Sequence, residues 1–100
     1  MNKFKKIENE ILDVQVSVLE RYAVDFANMG ITYSRPLIEV WRSSHDEYES
    51  EFRIVFYKNE KFLDVIENHI FREGRQLASI EEYESWIEDA VVELLKVNTK

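Results

Sequence analysis

The sequence predicts an α+β fold in the order α-β-β-β-(β)-α, an antiparallel meander sheet with two helices packed on one face, as a single domain over residues 1–100. Two observations predict it. Apolar residues recur at steps of three and four at the N-terminus and again after Ser79, the period of a helix packed on one side. Between these stretches EFRIVFYK alternates strictly, with Phe52, Ile54 and Phe56 on one face and Arg53, Val55 and Tyr57 on the other, the period of a half-buried strand.

The first helix is expected over about Lys3–Asn28. Phe4, Ile7, Ile11, Val14, Val18 and Tyr22 form its stripe, and Leu12, Leu19, Ala23 and Phe26 widen it, as suits packing on a sheet. Gly30 follows and can take the left-handed cap conformation. Pro36 then excludes a helix interior, and a strand is expected over Leu37–Ser43. His45-Asp46-Glu47 reads as a turn, and Lys58–Lys61 as a hairpin with Asn59 at positive φ. Residues 62–71 fit two periods. Phe62, Ile66 and Ile70 are spaced as in a helix, whereas Leu63, Val65, His69 and Phe71 can line a strand. The preceding hairpin signal, and the need for more than two strands, favour the strand. Arg72–Arg75 is a second turn, and Gln76–Ala78 a short fourth strand. The last helix, Ser79–Leu95, opens with a capping box, Ser79-x-x-Glu82. Its buried stripe is Ile80, Tyr83, Ile87, Ala90, Val91 and Leu94, and Lys96 sits where the helix dipole favours a cation.

Hydrophobic residues make up 45% of the chain, enough for a core. Only two Gly and one Pro punctuate it, which leaves little room for linkers or long loops. There is no Cys, so disulfides and thiolate chemistry are excluded. The N-terminus lacks the apolar run of a signal peptide, and no segment reaches the roughly 18 apolar residues needed to cross a bilayer. A cytoplasmic location is the expectation.

The net charge of −7 is uneven: residues 79–100 hold six acids and two bases. Six carboxylates (Glu81, Glu82, Glu84, Glu88, Asp89 and Glu93) lie in the last helix, and Asp46, Glu47, Glu49 and Glu51 crowd a second base-free stretch. Such surfaces repel nucleic acid and acidic membranes and attract basic partners. Solubility is the plainer account of the same charge.

Signs of catalysis are sparse. Ser43, Ser44, His45 and Asp46 are neighbours in sequence, which is not triad geometry. The two His residues, His45 and His69, lie in different segments without metal-ligand spacing, and the two Gly residues form no phosphate cradle. No enzyme activity, metal or cofactor is expected. The element order matches double-stranded-RNA-binding domains, but Ile80, Glu81, Glu82 and Glu84 open the last helix where such domains need bases.

In element order and charge alone, the chain is similar to small phage-encoded inhibitors of bacterial nucleases and to immunity proteins. No family motif accompanies the likeness, so it assigns no residue a role. It implies a protein-binding domain, an inhibitor or immunity-type protein covering a basic, nucleic-acid-binding surface on a toxin, nuclease or defence protein. The expected contact residues are Glu81, Glu84, Trp86 and Glu88 on the last helix, with Asp46, Tyr48 and Glu49. The alternative is an assembly subunit, a homodimer through an uncovered sheet face bearing Trp41, Val55 and Tyr57. An enzyme would instead need a pocket where carboxylates or His69 converge.

Overall fold

The computed structural model describes residues 3–42 and 48–99. Among these residues, three helices and five antiparallel strands run in the order α1 (Lys3–Arg21), α2 (Ala23–Met29), β1 (Ile31–Tyr33), β2 (Leu37–Arg42), β3 (Tyr48–Lys58), β4 (Lys61–Arg72), β5 (Arg75–Gln76) and α3 (Ile80–Val97). The fold is the α+β meander expected, with an open sheet. The expected turn at His45–Glu47 lies outside the described residues.

β3 is the organising strand. β4 flanks one side, and β1 and β2 share the other, pairing with opposite ends of β3. Its period of two sends Phe52, Ile54 and Phe56, all fully buried, toward the helices. They meet Ile11, Val18 and Leu19 of α1, Phe26 of α2, and Tyr83, Ile87 and Val91 of α3 in one core.

Three irregularities shape the sheet. Between Tyr33↔Phe56 and Leu37↔Arg53, the first strand spends one extra residue at Ser34-Arg35-Pro36. Ser34 bridges the gap: its N–H donates to Val55 O (2.8 Å), and its hydroxyl accepts from Val55 N (3.0 Å). The other two are bulges on β4, where Leu63 and Ile70 have no partner on β3. Each breaks the alternation and returns apolar side chains to the core, so that Ile70 and Phe71 are buried in succession.

The expected first helix is two. The chain leaves helical geometry at Tyr22 (φ −113°, ψ 16°) and resumes as α2. Val18, Tyr22 and Phe26 keep their step of four across the break, so hydrophobic period alone does not reveal it. The break lets Phe26 reach the rings of Tyr33 (5.5 Å) and Phe56 (5.7 Å). Gly30 caps α2 at φ +70°, where a Cβ would stand 3.4 Å from Asn59 Oδ1 of the β3–β4 turn. That turn runs through Asn59 (φ 52°) and Glu60 (φ 68°), the left-handed pair of a two-residue hairpin.

Two polar side chains sit under α1. Glu8 is buried and accepts from the hydroxyls of Ser50 (3.1 Å) and Tyr48, tying α1 to β3. Gln15 is fully buried, and neither end of its amide has a hydrogen-bond partner. An unmet buried amide costs more than an apolar side chain of the same length. Gln15→Met should therefore stabilise the fold by about 1–2 kcal/mol. Thermal unfolding followed by circular dichroism checks this: Tm rises by several degrees, and an unchanged or lower Tm contradicts it.

Candidate functional site

The helices cover one face of the sheet and leave the other bare. On the bare face, register places Leu37, Glu39 and Trp41 of β2 beside Arg53, Glu51 and Glu49 of β3. On the other side of β3, Glu51, Arg53, Val55 and Tyr57 stand beside His69, Glu67, Val65 and Phe62 of β4. Trp41, Val55 and Tyr57 thus share this face, as the alternation of their strands requires.

Its centre is a hub of charge. The Arg53 guanidinium donates to Glu67 from Nε (3.1 Å), to Glu39 from Nη1 (3.1 Å) and to Glu51 from Nη2 (2.8 Å). The hydrogen bond to Glu67, with the charges of Glu39 and Glu51, pushes the guanidinium pKa up and keeps it protonated. Three carboxylates around one cation leave a local surplus of negative charge. Apolar groups flank the hub: Trp41 (40% exposed) lies with its ring 6.5 Å from that of His69, and Phe62 (66%) and Leu37 (49%) are more open still. His69 Nδ1 is buried without a partner. At the β4–β5 corner, the register partners Arg72 and Arg75 add two cations.

The acidic helix α3 is less free than its composition implies. Its capping box forms, with Glu82 N donating to Ser79 Oγ (3.2 Å). Arg21 of α1 pairs with Glu84 and with Glu88 (3.4 Å), and the Tyr22 hydroxyl donates to Glu88 (2.9 Å). Those bonds push up the pKa of Arg21, chiefly through Glu84, and of Tyr22, chiefly through Glu88. Two of the expected contact residues, Glu84 and Glu88, therefore clamp the helices together. Glu81 and Trp86 are exposed, Trp86 resting edge-on against Tyr83 at 5.4 Å.

The other expected contacts separate. Tyr48 packs against Phe4 (4.8 Å) and Phe71 (5.5 Å) on the helix side of the sheet. Glu49 is half-buried opposite Trp41 on the bare face. Asp46 lies outside the described residues, as do Ser43, Ser44 and His45. Among the described residues, Glu49 and Glu51 of the first acidic segment lie on the bare face, away from α3. Sequence reasoning missed the Arg53 hub, because Glu39 and Glu67 become its neighbours only through strand register.

Ser50, Tyr48 and Glu8 form a hydrogen-bonded group in which Ser50 is fully buried behind the helices. Among the described residues no group of three His, Asp or Glu side chains is placed to hold a metal ion, and no helix is long and apolar enough to cross a membrane. Compared with protein-family models, with curated proteins and with solved structures, the chain gives no match in any of the three.

Tyr83 links α3 to the sheet. It is fully buried, and its hydroxyl donates to the carbonyls of Ile70 (2.9 Å) and His69 (3.2 Å). Burial pushes its pKa from 10.0 to about 12, and the backbone of Ala78 and Leu77 offsets only part of that. Below pH 10 folded and unfolded chains both keep the phenol proton. As pH rises, the unfolded ring ionises first and draws the equilibrium toward unfolding. The fold should thus lose about 2–3 kcal/mol between pH 10 and about 12 through this group. Ultraviolet titration of the five tyrosines checks it: one phenolate appears last and together with unfolding, and Tyr83→Phe abolishes that step.

Removing the hub cation leaves Glu39, Glu51 and Glu67 facing one another. Arg53→Met should lower Tm, and added salt should restore part of the loss by screening. Thermal unfolding at low and high ionic strength measures both; a loss indifferent to salt contradicts the electrostatic role.

Proposed function

We propose that this chain is a non-enzymatic binding domain that captures a basic protein through its helix-free sheet face. The observation that carries the reading is the Arg53 hub with its flanking rings: a negative centre beside exposed apolar side chains. Carboxylates speed the encounter with a cationic surface, and half-exposed Trp41 and Phe62 supply apolar area to bury on contact. Glu49 extends the acidic centre toward Trp41. On α3, Glu81 and Trp86 offer a secondary contact, and Glu84 and Glu88, which also pair with Arg21, lie beside them.

The inhibitor or immunity-type role follows from the same chemistry. Carboxylates that occupy the cationic groove of a nuclease or toxin take the place of phosphates and exclude nucleic acid. The charge also makes nucleic acid and acidic membranes poor partners for the chain itself.

A homodimer through Trp41, Val55 and Tyr57 is the second reading, favoured by the exposed rings on one face. Charge opposes it, since two copies face to face bring two sets of Glu39, Glu49, Glu51 and Glu67 together. Sedimentation at high protein concentration separates the readings.

Calorimetric titration against basic bacterial nucleases, at about 50 and 300 mM salt, tests the main one. Binding should weaken as salt rises, and Trp41→Ala combined with Glu49→Lys should weaken it by roughly tenfold or more. Affinity that ignores both salt and the double substitution overturns the reading.

A further inference from the structure

A groove of about 440 Å³ runs between the outer edge of β4 and the C-terminal half of α3. Leu63, Val65 and Ile66 form one wall, and Ala90, Leu94 and Val97 the other. Asp64, Glu67 and Glu93 lie along it, and among the described residues no Lys or Arg lines it.

The strand beside this groove is an edge. β5 pairs with β4 only at Phe71 and Arg72. Val55 turns its N–H and C=O toward Ser34, so by the antiparallel alternation its partner Val65 turns its own outward, as do Glu67 and His69. Side chains already answer some of these groups. Asp64 accepts from Val65 N (2.7 Å), Asn68 accepts from His69 N (2.8 Å), and the Tyr83 hydroxyl donates to His69 O (3.2 Å). Between them the ladder presents the Val65 carbonyl and both peptide groups of Glu67.

We propose that this edge receives an extended, arginine- or lysine-bearing segment of the basic partner as a sixth strand. The inference rests on the reading of the chain as a binder of basic proteins and adds how the partner is held. In an added strand alternate side chains point the same way, so one set enters the apolar groove while the backbone bonds to Val65 and Glu67. The cation-bearing set then lies on the bare face beside Glu67, and Asp64 and Glu93 on the groove side add attraction at longer range. Charge selects this occupant: an acidic segment is repelled, and a second copy of β4 brings its own Asp64 and Glu67 against these. The Asp64 and Asn68 caps, which blunt the edge against indiscriminate pairing, yield two amides when the strand adds.

The test uses the ¹⁵N-labelled full chain and an acetylated heptapeptide alternating arginine and valine. Controls are its glutamate–valine counterpart and two arginine–valine peptides, N-methylated at the valines or at the arginines. Only one of the two methylated sets blocks the pairing edge. The arginine–valine peptide should shift the amides of Val65, Glu67, Ala90 and Leu94, and the acidic peptide should not. One of the methylated peptides should bind roughly tenfold more weakly or worse. Glu93→Lys, an exposed helix position, should weaken binding several-fold with no change in fold. Equal affinity of both methylated peptides overturns strand addition, as does a shift pattern confined to Trp41 and Glu49, and that pattern leaves the basic-partner reading standing. Absence of binding up to about 1 mM peptide also overturns strand addition, and the nuclease titration then decides the broader reading separately.

Discussion

Burial of Phe52, Ile54 and Phe56 on one side of β3 is the constraint from which the rest follows. A central strand has two faces, and these three rings and branches consign one of them to the helices. α1, α2 and α3 must then lie on that side to cover them, which leaves Glu51, Arg53, Val55 and Tyr57 on the other. The bare face is thus a geometric consequence of core formation. Its polar centre is what makes exposure tolerable: Arg53 satisfies three carboxylates that would otherwise repel each other.

The edges of the sheet show the same economy. β4 carries two bulges, side-chain caps at Val65 and His69, and Tyr83 bonded to the carbonyls of His69 and Ile70. These are devices that keep an exposed strand from pairing with any chain that passes. They confine the free edge to a short stretch at Glu67, next to an apolar groove and several carboxylates.

Much of this was legible in the sequence where the signal is local. The capping box at Ser79, the Gly30 cap, the Asn59 turn and the alternation through β3 each depend on residues a few positions apart. The features that escaped depend on register or on interruption. The bulges at Leu63 and Ile70 bring those two side chains to the core beside Ile66, which faces it through ordinary pairing with Ile54. The step of four from Ile66 to Ile70 thus imitates a helix, while Phe62, one step earlier, lies exposed on the bare face. β1 was hidden because Ile31–Tyr33 pairs as a separate short strand beyond the Pro36 irregularity. The acidity of α3 was visible, but its partition was not: Arg21 and Tyr22 lie more than sixty residues from Glu84 and Glu88, so their pairing could not be read along the chain.

That partition is why the proposed binding surface lies on the sheet rather than on the helix. Of the α3 carboxylates, Glu82 serves the cap and Glu84 and Glu88 tie α3 to α1, whereas those around Arg53 border exposed apolar groups on a face no helix covers. The proposed binding role requires that this face be open and electronegative in solution. Paramagnetic relaxation by freely diffusing nitroxides, neutral, cationic and anionic in turn, measures both properties residue by residue. The neutral probe should reach the Val55 and Val65 methyls and the Trp41 indole while sparing Ile54 and Ile87. The cationic probe should relax the first group more strongly than the anionic one. Val55, Val65 and Trp41 shielded as deeply as Ile54, or relaxed equally by both charged probes, would contradict it.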